Sequence, residues 1–246
     1  MKKLKKTLSG MSIVTGSALV LAVLTVQAQG APIVVQPINA QTHGGWGTDR
    51  EPANAIDGSG LYNNGLVDTG DPIPVLWPDH DTNNNNSLWS GGSFSSNDTT
   101  IDNDAWFMVD LGQNYKLDGW RHWSGGRDID RDINLVQMAV APESASGGWD
   151  ANDVTHSDWT LENQTRNIDH YAEWNTVDNG FTYSFDGTNL DGVEARYVMF
   201  NIGNNHGDIG VPGIGEIRFF TIPEPSSLLL LGLGSLLLMK RRRRRA

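Results

Sequence analysis

Ala105-Trp106-Phe107-Met108-Val109-Asp110-Leu111-Gly112 is the clearest strand in the chain. Trp106, Met108 or Phe107, Val109 and Leu111 give it a face to bury, and Asp110-Leu111-Gly112 gives it an end, because glycine accepts backbone angles that other residues resist. Outward in both directions, short apolar runs recur, cut by clusters of Gly, Asn, Asp and Ser. The expected strands are residues 105–111, 117–123, 135–141, 158–161, 181–185, 196–202 and 216–221. No run of a dozen residues carries apolar positions at the three-and-four spacing of a helix. Short strands separated by turn signals predict an all-β sandwich or barrel.

The two ends of the chain follow different rules. Lys2, Lys3, Lys5 and Lys6 precede a mostly apolar, small-residue stretch over 11–26, and Val26-Gln27-Ala28 offers a peptidase site, so residues 1–28 read as a signal peptide cut after Ala28. The tail, 222–246, reads Ile-Pro-Glu-Pro-Ser-Ser, then an apolar stretch, then Lys240 and the five arginines Arg241 to Arg245. Its 226–239 segment is 14 residues long, short of the roughly 20 needed to span a bilayer comfortably, and Gly232 and Gly234 weaken it further as an anchor. The terminal positive charges would hold that end in the cytoplasm. This order of elements resembles the PEP-CTERM sorting signal of Gram-negative bacteria, with Pro223, Glu224 and Pro225 as the motif. The resemblance implies recognition by an exosortase, a transpeptidase-like membrane enzyme. It also implies passage through the inner membrane and delivery to the cell surface, outer envelope or extracellular matrix. The plainer alternative is an ordinary C-terminal membrane anchor.

Between the ends lies a body of 193 residues, 29–221, enough for one domain with a sizeable core. Ten of the 18 basic residues sit in the two tails while 28 of the 29 acidic residues sit in the body, so the body carries a formal charge of about −20. Such a surface repels nucleic-acid phosphates and anionic lipid and attracts divalent cations. The chain has no cysteine, which excludes disulfides, thiol nucleophiles and cysteine-ligated metals. Two long polar loops, 59–88 and 141–156, are candidates for functional segments.

Six sequence pieces carry a second resemblance. In order they are Pro52-Ala53-Asn54-Ala55-Ile56-Asp57-Gly58, Leu88-Trp89-Ser90, the 105–112 strand, Tyr115-Lys116-Leu117-Asp118-Gly119-Trp120, Ala195-Arg196-Tyr197-Val198 and Gly215-Glu216-Ile217-Arg218-Phe219. The series is similar to the discoidin, or coagulation factor 5/8 C-terminal, domain of the galactose-binding-like superfamily, which includes the family 32 carbohydrate-binding modules. It implies a single β-sandwich jelly roll of about eight strands. The chain departs from that pattern in the 59–88 insertion, which separates Asp57-Gly58 from Trp89-Ser90 and bears on the ligand end of such modules. The resemblance also implies a structural calcium ion near the Asp-Gly turn, with Asp57, Glu216 and the carbonyl of Asn54 as its ligands. The alternative is that Asp57 only caps its turn and Glu216 pairs with Arg218 or Arg50. Arg196, beside Tyr197, is placed to pair with a carboxylate such as Asp110.

For a sugar ligand the expected residues are Trp120, Arg121, His122 and Trp123, followed by Arg127. Aromatic faces stack on pyranose rings while cationic and imidazole groups grip hydroxyls. The competing reading is that Trp89, Trp106 and at least one of Trp120 and Trp123 fill the core, leaving two or three of the nine tryptophans exposed. Asp128, Asp130 and Asp132 form an acidic run that lacks the glycine and closing glutamate of an EF-hand, so a solvated, self-paired loop is expected there. No zinc-protease helix, nucleophile elbow, phosphate loop or dinucleotide fingerprint is present. A glycosidase needs two carboxylates across a cleft, and no motif locates such a pair. The expectation is therefore an exported, non-catalytic, calcium-stabilised module that binds polysaccharide. A matrix or adhesion protein with protein partners is the second reading and a hydrolase the third.

Overall fold

A computed structural model of the protein describes residues 32–42, 51–59, 61–62, 69–70, 79–80, 89–90, 106–124, 131–145, 158–170, 180–207 and 212–221. They lie within one compact unit, Ala31–Ile222. The signal peptide expected at 1–28, Arg127, and the tail with Pro223, Glu224 and Pro225 lie outside the described residues.

The described elements are almost entirely strands: β1 (Ile33–Val35), β2 (Asn39–Thr42), β3 (Leu61–Tyr62), β4 (Asp79–His80), β5 (Trp89–Ser90), β6 (Trp106–Ser124), β7 (Ile133–Ala141), β8 (Thr160–Leu161), β9 (Arg166–Asn167), β10 (Phe181–Ser184), β11 (Glu194–Asn205) and β12 (Gly213–Thr221). A 3₁₀ turn, Pro52–Ala55, stands among them. Every ladder between these strands is antiparallel.

The strands expected at 105–111 and 117–123 are one strand, the 19-residue β6. Its first half pairs with β2 and β11. Its second half pairs with β10 and β12. Leu111-Gly112 is therefore a corner within the pairing of β6 to β11, not the end of a strand, and the change of sheet follows it, between Lys116, paired to β11, and Leu117, paired to β12. Gly112 takes φ +84° there, and its N–H donates to Asp110 Oδ1 at 2.7 Å. The turn chemistry was visible in the residues. Whether a turn ends a strand or bends it depends on a partner running past the corner. Here β11 does so, pairing on both sides with a register shift between Ala195 and Tyr197.

Side-chain alternation then builds the core. Phe107, Val109, Val136, Met138, Val140, Val198, Phe200 and Ile202 from one sheet meet Trp120, Ile217 and Phe219 from the other. Phe200 touches both sides, with its ring 4.9 Å from Trp120, 6.4 Å from Phe107 and 6.2 Å from Phe219. The molecule is thus a β-sandwich joined through β6.

Both sheets are also covered on their outer faces. Outside the first lie Trp106, Met108, Ala139, Ala141, Trp159 and Met199, an apolar cluster. Arg196, on the interior strand β11, donates to both oxygens of Asp110 at 2.8 and 3.1 Å, the pairing its sequence position suggested, and to Glu143 at 2.9 Å. Outside the second sheet, Arg121, Trp123, Glu216 and Arg218 alternate with the core residues and are buried in turn. The 59–88 insertion contributes a small ladder, Leu61↔His80 and Tyr62↔Asp79. It is tied to β1 and the residues after it by Gly70 N–H to Val34 O, 2.9 Å, and Gln36 N–H to Thr69 Oγ1, 3.0 Å.

Candidate functional site

The four described residues expected to grip a sugar stand on the last turns of β6 and point alternately in two directions. Trp120 and His122 face the core side and Arg121 and Trp123 the outer side. Trp120, His122 and Trp123 have 0% exposure and Arg121 has 9%. An indole enclosed on all sides has no face to offer a pyranose from solvent, so the expectation for these residues is corrected: they are interior. Trp120 stacks on Tyr183 at 4.7 Å. Arg121 donates to the carbonyl of Gly180 at 2.8 Å and to Thr182 Oγ1, and its guanidinium lies 5.5 Å from the Trp123 ring centre. Trp106 and Trp159 are buried as well. Trp46, Trp77, Trp149 and Trp174 lie outside the described residues.

Of the three expected calcium ligands, Glu216 is held by a cation of the chain itself, Arg218. Glu216 and Arg218 stand two residues apart on β12 and so share a face. Arg218 Nη1 donates to Glu216 Oε1, to the carbonyl of Ile217 at 2.8 Å and to the carbonyl of Ile56 at 3.1 Å. Glu216 Oε2 accepts the Gly58 N–H at 2.9 Å. Burial raises the Glu216 carboxyl to about 7 against the opposing pull of Arg218 and the Gly58 N–H. Asp57 accepts the Ser59 N–H at 2.7 Å, the cap its sequence position suggested, and Asn54 sits in the 3₁₀ turn. Both Glu216 oxygens are engaged by protein donors, so this set does not fit a metal ion as it stands. Among the described residues no three His, Cys, Asp or Glu side chains group as metal ligands.

A second polar group forms where β6 ends, β7 begins, β11 ends and β12 begins. The Asp132↔Gly213 bridge joins the starts of β7 and β12, which are paired in turn to the ends of β11 and β6. Asp132 is buried rather than solvated, which corrects the expectation for that acidic run; Asp128 and Asp130 lie outside the described residues. Its Oδ1 lies 3.0 Å from His122 Nε2. Its carbonyl accepts the His206 N–H at 3.2 Å. The half-buried His206 ring stacks on His170 with centroids 3.5 Å apart, and its Nε2 bonds the Ile168 carbonyl at 2.8 Å. Burial, and then His170, hold His206 below its ordinary range. Beside the stack, the Asp169 N–H donates to the Tyr183 hydroxyl at 2.7 Å, and burial pushes that phenol well above its ordinary range.

Sequence reading did not bring His170, His206 and Asp132 together, since 38 and 36 residues separate neighbouring members of the set. Their approach depends on β7 and β11 pairing over Ile133–Asn205. Arg218 had a local signal, Glu-x-Arg on a strand, which places both charges on one face.

The family profile described as the PEP-CTERM protein-sorting motif matches residues 221–245. The chain therefore carries a sorting signal of an exported, envelope-associated protein. A search of curated proteins finds no match. Among solved structures, the chain is similar to the family 32 carbohydrate-binding module of C. perfringens NanJ in complex with galactose, at 14% identity over 77% of this chain and 98% of that one, with a TM-score of 0.45. A fucose binding module of Streptococcus pneumoniae matches at 12% identity over 76% and 93%, TM-score 0.44. A fucolectin from striped bass (Morone saxatilis) serum matches at 15% identity over 74% of this chain and 46% of that one, TM-score 0.43.

Proposed function

We propose that this protein is a non-catalytic carbohydrate-binding module, exported through a signal peptidase step, processed at its tail by an exosortase-type enzyme and displayed in the cell-surface matrix. Its partner in this reading is a polysaccharide, bound at the end of the sandwich where the ends of β6, β7, β11 and β12 meet. The observation that carries it is the His170–His206 stack at that end, half-buried with Asp169 exposed beside it. An imidazole edge offers a donor or an acceptor to a sugar hydroxyl, according to its tautomer. The rigid sandwich beneath fixes its position. The sorting motif supports delivery to a glycan-rich surface. The sequence resemblance to family 32 modules supports the ligand class. The strongly acidic body disfavours anionic ligands, so neutral or cationic glycans fit best.

The test is a glycan-array screen of the purified protein, run with calcium and with a chelator, beside His206→Ala and His170→Ala. Binding to one polysaccharide class that either variant abolishes while keeping its melting temperature supports the reading. A folded protein that binds no glycan sinks it and favours a matrix protein with protein partners. Hydrolysis of a bound glycan would sink the non-catalytic part alone.

A further inference from the structure

Calcium is held by several oxygen donors, from carboxylates, backbone carbonyls and water. The junction between the 3₁₀ turn and β12 supplies a set of that kind: a Glu216 carboxylate oxygen and the carbonyls of Ile56 and Ile217. In this protein all three accept from one nitrogen, Arg218 Nη1. Arg218 and Glu216 both have 0% exposure. The Ile56 carbonyl also accepts Gln36 Nε2 at 2.9 Å, and the Gly58 N–H closes the other side of the carboxylate at 2.9 Å.

We propose that Arg218 is an internal cation that fastens the Pro52–Gly58 turn to β12 in place of a metal ion, so that the turn closes without calcium. The guanidinium is always charged and its N–H groups are fixed in direction. A donor of that kind neutralises a buried carboxylate and satisfies two carbonyls at once. Its β12 position makes this possible: the side chain at i+2 lies on the same face as Glu216 and reaches back over it. The cation is covalently part of the strand, so its occupancy cannot vary with the calcium activity outside the cell. This holds whether or not the protein binds a sugar.

The experiment is thermal unfolding of the full chain with saturating calcium and with a chelator, for the wild type, Arg218→Ser, Glu216→Gln and the double variant. The wild type is expected to melt at the same temperature in both. Arg218→Ser is expected to melt lower and to regain part of the loss in calcium, because its oxygen set is then open to a metal. The double variant should regain nothing. A wild-type melting temperature that rises with calcium, and ceases to rise in Glu216→Gln, overturns the proposal. So does a folded Arg218→Ser that ignores calcium. If Arg218→Ser does not fold, calorimetric titration of calcium into the wild type and Glu216→Gln decides. Equal heats support the proposal, and wild-type binding that Glu216→Gln removes overturns it.

Discussion

The two sheets of this sandwich bury their outer faces by opposite means. Outside the β7–β11 sheet, Trp106, Met108, Met199 and Trp159 pack with Ala139 and Ala141. Outside the β12 sheet, Glu216, Arg218 and Arg121 are enclosed with Trp123 at similar burial. The apolar face is stabilised by area removed from water and tolerates shape-conserving change. The charged face is stabilised only as long as each buried charge keeps its partner. The first is adhesive and forgiving, and the second is specific and brittle.

The largest effect is expected where that brittleness is tested. Arg218→Met leaves Glu216 buried without its cation and should lower stability by about 3–5 kcal/mol. Adding Glu216→Gln should recover a large part of this, measured by denaturant unfolding. Arg218→Lys should recover only part, since an ammonium on a shorter, flexible stem lacks the fixed geometry of a planar guanidinium. If Arg218→Met alone is harmless, the contrast between the faces fails. On the apolar face, Met199→Ala should cost about 2–5 kcal/mol, but Met199→Leu less than about 1.5 kcal/mol. A Met199→Leu variant as damaging as Met199→Ala would show that this face is as exacting as the other.

Gly119, on the charged side of β6, tests how tightly β10 lies over that strand. A Cβ there would meet the Tyr183 carbonyl at 2.3 Å and the Phe220 ring at 2.5 Å, both too close. Gly119→Ala should therefore cost about 1–3 kcal/mol through overpacking, read as a fall in melting temperature. Full stability in this variant would mean that β10 can lift away.

The smallest expected effect concerns pH. His206 is held below its ordinary 6.5 by burial first and then by the neighbouring His170, with Asp132 and the Ile168 carbonyl acting in the other direction. The unfolded chain therefore takes up this proton at a higher pH than the folded one. The contribution of His206 to stability is complete above 6.5 and is lost as pH falls below it. His206→Gln should flatten the stability curve in that range. An unchanged slope would show that other groups set the acid response.

Much of the fold was legible because it rests on local rules. Five of the expected segments, 135–141, 158–161, 181–185, 196–202 and 216–221, hold a strand with ends shifted by a few residues, at β7, β8, β10, β11 and β12. The 105–112 run was legible as a strand with a face to bury, but not which face, since both are buried: Phe107 and Val109 inward, Trp106 and Met108 outward. The short strands β1 and β2 escaped, because three or four residues carry too little pattern to stand out from a loop. The site was less legible. Trp120, Arg121, His122 and Trp123 have the composition of a sugar grip, but composition does not say which face of a strand is covered.

The sequence alone determined the sorting motif, the acidic balance, the absence of cysteine chemistry and the all-β class. Each of these depends on residue type or on spacing within a single segment. Only the tertiary structure decided that β6 bends at Gly112 instead of ending, that Arg218 reaches Glu216 and the Ile56 carbonyl together, and that His170 and His206 stack at one end of the sandwich. Each of those depends on residues distant in the chain that meet only after the sheets have paired. Burial, which turned the expected binding residues into interior ones, is a property of both sides of a contact and cannot be read from one of them.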